Sequence, residues 1–257
     1  MLRQARRLTG RGLRFDGNYT TWQDAQRASG GYDREDIVRR VYESELKVKQ
    51  GAAADERDGV LFDAVQFSLP VMAALARIAC LKQRPLRVLD FGGAFGGMYR
   101  QYRAFGLPPE VSWNVVEQPD FIRLGRPAFE TPELRFALSI GEVLANGLPD
   151  VALFSSVLQY LEQPLSVFQQ IADAGVAHVI IDRTPCHARE HDVLVVQHVP
   201  VEIYKASYPC WIFSRSRFMK ACGEQFQQIA SFTDGSGTWQ ASGLNFELCG
   251  FAFDRKY

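Results

Sequence analysis

The sequence predicts a doubly wound α/β domain: a mostly parallel sheet flanked by helices, an antiparallel pair at one edge, and a helical cap in front. Three observations predict it. First, residues 86–91 form an apolar run with Arg87 inside it, and the run leads into Asp90-Phe91-Gly92-Gly93-Ala94-Phe95-Gly96-Gly97. A buried parallel strand reads as such a run. Glycines just past it let the backbone turn tightly and approach a ligand, and the following helix points its free N–H groups there. Second, strand-like runs alternate with helical patterns, which implies a parallel sheet with right-handed crossovers. Third, the end of the chain breaks that alternation: residues 226–232 and 246–253 are both strand-like and are joined through Asp234-Gly235-Ser236-Gly237.

Size and composition narrow the class. The chain has 257 residues, 47% hydrophobic and 23% charged, which is ordinary for a soluble globular protein with a full core. Twenty-nine basic and 29 acidic residues cancel, so nothing points to nucleic acid or an anionic surface. No apolar run reaches the length of a membrane span. Arginines 3, 6, 7, 11 and 14 make the N-terminus basic, but no apolar h-region follows, as a secretory signal would need. A basic tail is the plain reading and a transit peptide the alternative. The five cysteines (Cys80, Cys186, Cys210, Cys222, Cys249) are odd in number and contain no C-x-x-C. That suits reduced thiols in the cytoplasm. Cys186, His187 and His191 do not complete a closed zinc set, so no metal is expected.

The elements follow in order. Residues 1–60 form a helical cap or lid, and residues 61–257 the catalytic domain. Gly17 to Trp22 reads as a turn into a helix capped by Thr20 or Thr21. A short helix spans 23–29 and stops at Gly30-Gly31; a second spans 34–50, with Ile37, Val38, Val41, Tyr42 and Leu46 near helical spacing. Residues 62–80 read as a third helix, kinked at Pro70. The core strands are then 87–91, 111–117, 134–138, 150–157 and 178–182. Helices are expected over 97–105, 119–129 and 164–174. No internal repeat or low-complexity segment occurs.

Ligands of open α/β sheets lie beyond the carboxyl ends of the strands, at the point where strand order reverses. That rule selects the candidate residues. Asp90 ends the first core strand, before the first glycine. In a dinucleotide site the decisive acid lies about 20 residues beyond the glycines, so Asp90 argues against that chemistry. Glu117 and Gln118 end the second strand, and a carboxylate there suits a vicinal diol. Ser139, Ile140 and Gly141 follow the third. Ser155, Ser156, Gln159 and Tyr160 follow the fourth, and their hydroxyl, amide and phenol groups can position a small polar substrate. None is a strong base at neutral pH. Asp182-Arg183-Thr184-Pro185 follows the fifth, and Arg183 can clamp a carboxylate or pair with Asp182. Tyr204, Tyr208 and Trp211 stand among aromatics that could wall a pocket and attract a cation. Histidine is the usual side-chain base near neutral pH, so His198 or His191 could serve as one, a structural role being the plainer reading of either.

The stretch Asp90-Phe91-Gly92-Gly93-Ala94-Phe95-Gly96 resembles motif I of the class I S-adenosylmethionine (SAM) methyltransferases, Asp/Glu-x-Gly-x-Gly-x-Gly. Gly92 and Gly96 match the outer glycines; Ala94 replaces the middle one, and Gly93 is extra. The surroundings of Trp22, Val115-Val116-Glu117-Gln118, residues 155–160 and 182–185, and Ser207-Tyr208-Pro209-x-Trp211 resemble one bacterial family of methyltransferase-like proteins. Some of its members are azetidine-2-carboxylate synthases. The resemblance covers nearly the whole chain and implies a Rossmann-like class I methyltransferase fold with SAM as cofactor. It further implies that Asp90, Gly92, Gly93, Ala94 and Gly96 pack on methionine and ribose. Glu117 with Gln118 would hold the ribose, Ser139 and Ile140 would lie by adenine, and Ser155 would touch cofactor and substrate.

Three functions remain open. The superfamily's default is methyl transfer to oxygen or nitrogen of a small molecule, with catalysis largely by alignment. The alternative, a step in secondary metabolism, is cyclisation of SAM itself to azetidine-2-carboxylic acid with release of methylthioadenosine. A SAM-binding module without catalysis is the third, motivated by Ala94.

Overall fold

A computed structural model describes residues 12–30, 34–204 and 206–256. Arginines 3, 6, 7 and 11, Gly31, Tyr32, Asp33 and Lys205 lie outside them. The chain order is β1 (Arg14–Tyr19), α1 (Trp22–Ala28), α2 (Arg34–Lys49), β2 (Asp55–Arg57), β3 (Val60–Phe62) and α3 (Leu69–Lys82). The core then runs β4 (Leu86–Phe91), α4 (Gly97–Ala104), β5 (Val111–Val116), α5 (Pro119–Phe129), β6 (Leu134–Ala137), α6 (Ile140–Ala145) and β7 (Val151–Ser155). After a 3₁₀ turn (Leu158–Tyr160) come α7 (Pro164–Asp173), β8 (His178–His187), β9 (Val193–Val199), β10 (Ala206–Ser214), α8 (Arg215–Gly223), β11 (Phe226–Ala241) and β12 (Leu244–Arg255).

The strands β6-β5-β4-β7-β8 are parallel neighbours, and β12 then β11 continue the sheet antiparallel beyond β8. This is a doubly wound, mostly parallel sheet with an antiparallel pair at its edge. Alternation along each strand divides the core. Val88, Trp113, Val115 and Leu153 face Met72, Leu75, Met98, Tyr102 and Phe121 from α3, α4 and α5. Leu89, Phe154, Ile181 and Phe251 face Ile140, Phe168, Ile171 and Phe218 from α6, α7 and α8. Burying such side chains on both faces supplies about 1.5–3 kcal/mol each, and it fixes the register, because a one-residue slip would exchange the faces.

A second layer stands on the rim. β12 occupies one edge of β8 from His178 to Cys186, while β7 occupies the other only as far as Asp182. Past that point the free edge is taken by β10, through Phe213↔Cys186 and Ser214↔His187. β9 and then β1 extend β10 antiparallel. This three-stranded extension therefore begins where β7 ends.

Several boundaries differ from expectation. Phe62 belongs to the small hairpin β2–β3, and Pro70 lies in the first turn of α3 without kinking it. Gly17 sits inside β1, whose register shifts between Asp16 and Tyr19. Asp182 to Pro185 lie within β8, because β12 keeps pairing with them. Residues 193–199 and 206–214 form β9 and β10, and residues 234–237 are a register shift inside β11. The hairpin turn is Ser242-Gly243, where both residues have positive φ (46° and 75°), as a type I′ turn requires. No helix among the described residues is long and apolar enough to cross a membrane.

Candidate active site

Strand order reverses between β4 and β7, and the crevice beyond their carboxyl ends is built by the glycine loop. Gly92 has φ 73°, and an added Cβ would stand 2.5 Å from Val157 Cγ2. At Gly93 an added Cβ would stand 2.5 Å from Asp90 Oδ2. Gly96 (φ 88°) would meet Leu134 at 2.9 Å and precedes the first turn of α4. Glycine is therefore required at all three positions. Ala94 adopts the same left-handed region at φ 48°.

Two carboxyl groups flank this loop. Asp90 is 1% exposed; Oδ2 accepts a hydrogen bond from Trp113 Nε1 at 3.0 Å. Oδ1 is buried with no hydrogen-bond partner among the described residues. Burial lifts its pKa to about 7, against a smaller lowering by the indole. Glu117 keeps some exposed area, but its carboxyl is enclosed. Burial lifts it to about 7 as well, the backbone N–H groups of Gln118 and Ala94 oppose that, and Asp90 adds to it. Glu117 thus ties the end of β5 to the glycine loop. Gln118 is exposed and caps α5 without a side-chain bond. Ser139 is the N-cap of α6, its Oγ accepting the Glu142 N–H at 3.2 Å. Ile140 is buried in the core and Gly141 is exposed; the segment that follows the third core strand is the start of α6.

The other wall is a hydrogen-bonded chain. Ser155 Oγ donates to Asp182 Oδ2 at 3.0 Å, and Arg183 Nη2 lies 3.4 Å from Ser155 Oγ. Ser156 (φ 55°) accepts from Gln159 Nε2 at 3.1 Å, and its N–H donates to the Asp182 carbonyl. Tyr160 donates to Gln197 Oε1 at 3.1 Å, and Gln197 Nε2 donates to the Tyr208 hydroxyl at 3.2 Å. The Tyr160 and Tyr208 rings meet edge to face at 5.1 Å, and Tyr204 is hydrogen-bonded to Tyr208. Burial pushes both phenols upward in pKa. They remain neutral at physiological pH.

Trp211 does not join this group. It is three residues from Tyr208 on one strand and so points to the opposite face. There it stacks on Trp22 at 6.2 Å and donates to the Leu161 carbonyl at 3.1 Å. That face borders a cleft of about 570 Å³ lined by Pro164, Leu165, Phe213 and Arg217, away from the glycine loop. The histidines are also elsewhere. His198 pairs with Asp16 on the outer strands, and His191 is exposed. His187 is buried, its Nδ1 accepting the Arg189 N–H, and burial lowers its pKa. Cys186 hydrogen-bonds Cys249 across β8 and β12.

The segment that precedes the core also contributes. Tyr42 of α2 packs on Phe95 of the glycine loop at 5.6 Å. Glu45 forms a two-pronged ion pair with Arg100 of α4 (2.6 and 2.7 Å) and hydrogen-bonds Glu56 of β2. Burial raises both carboxyl groups, Glu56 the more strongly because Glu45 adds to it. This network holds the β2–β3 hairpin, whose tip is Asp58-Gly59, with φ 52° and 78°. Its residues Arg57 and Asp58 act electrostatically on Arg183 and on Tyr160 and Tyr208, respectively. The expected residues did not include these two, or Gln197. An Asp-Gly dipeptide between Arg57 and Val60 is the hairpin signal that marks the first two.

No protein-family model matches the chain, and no curated protein matches it significantly in sequence. Solved structures do match. The N-terminal domain of EvdMO1, crystallised in the presence of S-adenosylhomocysteine (SAH) and D-fucose, aligns over 88% of this chain and 98% of that one, with a TM-score of 0.51 and 14% identity. The same domain with SAH bound gives 0.50 and 15% over the same shares. The Burkholderia thailandensis 1,6-didemethyltoxoflavin-N1-methyltransferase covers 88% of this chain and 92% of its own, at 0.46 and 15%. The likeness to EvdMO1 establishes a common fold.

Proposed function

We propose that this chain is a SAM-dependent methyltransferase acting on oxygen or nitrogen of a small molecule. One observation carries the reading: two enclosed carboxyl groups, Asp90 and Glu117, flank a loop in which three glycines leave no room for a side chain, at the reversal point of the sheet. The EvdMO1 domain, which shares this fold, was crystallised with SAH.

The residues fit SAM. The backbone at Gly92, Gly93 and Gly96 would pack on its methionine and ribose, Glu117 would accept both ribose hydroxyls, and the apolar start of α6 would border adenine. When bound, SAM supplies a methyl group already activated by a sulfonium. The chain's own task is then alignment and exclusion of water. Ser155, Ser156 and Gln159 orient the acceptor by hydrogen bonds. Tyr160 and Tyr208, held neutral by burial, donate hydrogen bonds and do not remove protons. With His191 and His198 away from the crevice, the acceptor supplies its own lone pair, as a neutral amine or an acidic hydroxyl does. The cap, joined to the glycine loop through Tyr42 and Glu45, closes over the cofactor.

The test is incubation of purified protein with SAM, alone and with a panel of amine and hydroxyl acceptors, products being identified by mass spectrometry. SAH with a methylated acceptor is expected. Methylthioadenosine from SAM alone would replace this reading with cyclisation to azetidine-2-carboxylic acid. SAM that fails to bind would remove both.

A further inference from the structure

Two arginines converge on the acceptor side of the crevice, and neither has a full set of partners. Arg183 lies in β8 at φ 49°, where β7 stops and β10 begins. A non-glycine residue in that region is strained, and such strain clusters at ligand clamps. Its side chain is 19% exposed, and its Nε is buried with no hydrogen-bond partner among the described residues. The nearest carboxylate oxygen, Asp182 Oδ2, is 3.7 Å from Nε and already accepts from Ser155. Arg57 approaches from the hairpin, and its Nη2 donates to the Gln66 carbonyl at 3.1 Å. Burial, and then the charge of Arg183, lower its pKa to about 10. The two guanidinium groups thus repel each other through their charges, and the Nε of Arg183 is buried without a partner among the described residues.

The surrounding acids are occupied or exposed. Asp55 accepts the backbone N–H groups of Glu56 and Gln66, Asp182 takes the Ser155 hydroxyl, and Asp58 is exposed at the hairpin tip. Their charge offsets part of that of the arginines, which suits a monoanion better than a phosphate dianion. A planar carboxylate matches the guanidinium fork in two-pronged fashion. We propose that Arg57 and Arg183 together bind a carboxylate of the methyl acceptor, so that the substrate is a small carboxylic acid. The inference rests on the methyltransferase reading and names the class of its acceptor. The hairpin β2–β3 becomes a specificity element, set in place by Glu45, Glu56 and Arg100.

Calorimetric titration of SAH, then of benzoate or its neutral isostere benzamide onto the SAH complex, tests this. Benzoate is expected to bind and benzamide to bind about tenfold more weakly or not at all. Arg57→Gln and Arg183→Gln should each weaken benzoate by about tenfold while leaving SAH affinity within about twofold. Arg57→Gln, on a three-residue strand outside the main sheet, keeps the test valid if Arg183→Gln misfolds, which circular dichroism reads. Equal binding of the two probes, or none of benzoate, overturns the carboxylate site. A tenfold loss of SAH affinity in Arg57→Gln also overturns it, because the arginine would then hold the cofactor's own carboxylate. Failure of SAH to bind would instead overturn the methyltransferase reading, and benzoate titrated onto the free protein would still decide the anion site.

Discussion

Ala94 holds a backbone conformation that L-residues adopt at a cost of about 1–2 kcal/mol, on a loop whose other turns are glycine. Ala94→Gly should relieve that strain, offset in part by the larger entropy of the unfolded glycine chain. The net expectation is a gain of roughly 0.5–1 kcal/mol, read as a raised urea midpoint at unchanged slope; a lowered midpoint would deny the strain. Gly93→Ala is the opposite case. It drives a methyl group into the Asp90 carboxyl and should abolish cofactor binding while the core folds. Glu117 carries a pH prediction. Its folded pKa is raised to about 7, so below that pH it is protonated and accepts diol hydrogen bonds poorly. SAH affinity should rise between pH 6 and 7.5 by up to about tenfold per pH unit and per proton released, then level off. Asp90, also near 7, contributes to the same window. In Glu117→Gln the slope should shrink; an unchanged slope would assign it to Asp90 alone.

At the scale of elements, legibility followed the period of the pattern. Strand β7 is apolar on both faces, β4 is a mostly apolar run interrupted by Arg87 and Asp90, β5 buries Val111, Trp113 and Val115 on one face, and α5 runs over Pro119–Phe129 as its spacing and its opening proline indicate. Asp90, the glycines, Ser155 and Ser156 reach the crevice because they lie at the ends of such strands, where position alone determines location. The rim extension was opaque for a physical reason. β9 and β10 alternate imperfectly, β10 carries Pro209, and although the two strands pair with each other, their outer partners, β1 for β9 and β8 for β10, lie elsewhere in the chain, so no local window contains the whole signal. Trp211 fell on the wrong side because an aromatic cluster in sequence says nothing of which face of a strand each ring takes. The hairpin β2–β3 was missed because each strand has three residues, too few for alternation to register. Its anchor makes a further prediction. Glu56 has a folded pKa well above its ordinary 4.5, through burial and then Glu45. A carboxyl raised on folding binds more protons folded than unfolded, so its contribution to stability falls as pH rises above about 4.5. Glu56→Gln should remove that part of the decline. The variant's stability relative to the native chain, measured in urea at pH 5 and pH 8, should increase with pH; a constant difference would mean that Glu56 is ionised throughout.

For the molecule as a whole, the crevice joins parts that are distant in the chain. β1 pairs with β9 on the rim, while α2 packs through Tyr42 on the glycine loop and through Glu45 on α4. The described residues before Asp63 thus reach the rest of the chain at two places, β9 on the rim and the glycine loop with α4. A ligand seated there contacts the cap and the sheet at once, so it should bind the folded state and not the unfolded chain. Linkage then sets the size of the effect. SAH at about a hundred times its dissociation constant should add about 2.7 kcal/mol. For a chain of this size that is a rise of roughly 5–10 °C in melting temperature. NAD should add nothing, because a dinucleotide seats its pyrophosphate on the glycine loop, where the Asp90 carboxyl is packed against Gly93 and disfavours an anion, even though Glu117 stands where a ribose acid would. Melting scans with SAH, with NAD and with neither, in native protein and Glu117→Ala, separate the possibilities. A shift with SAH that Glu117→Ala reduces supports the ribose assignment. An equal shift in the variant moves the ribose elsewhere, and a shift with NAD alone would return the glycine loop to dinucleotide chemistry.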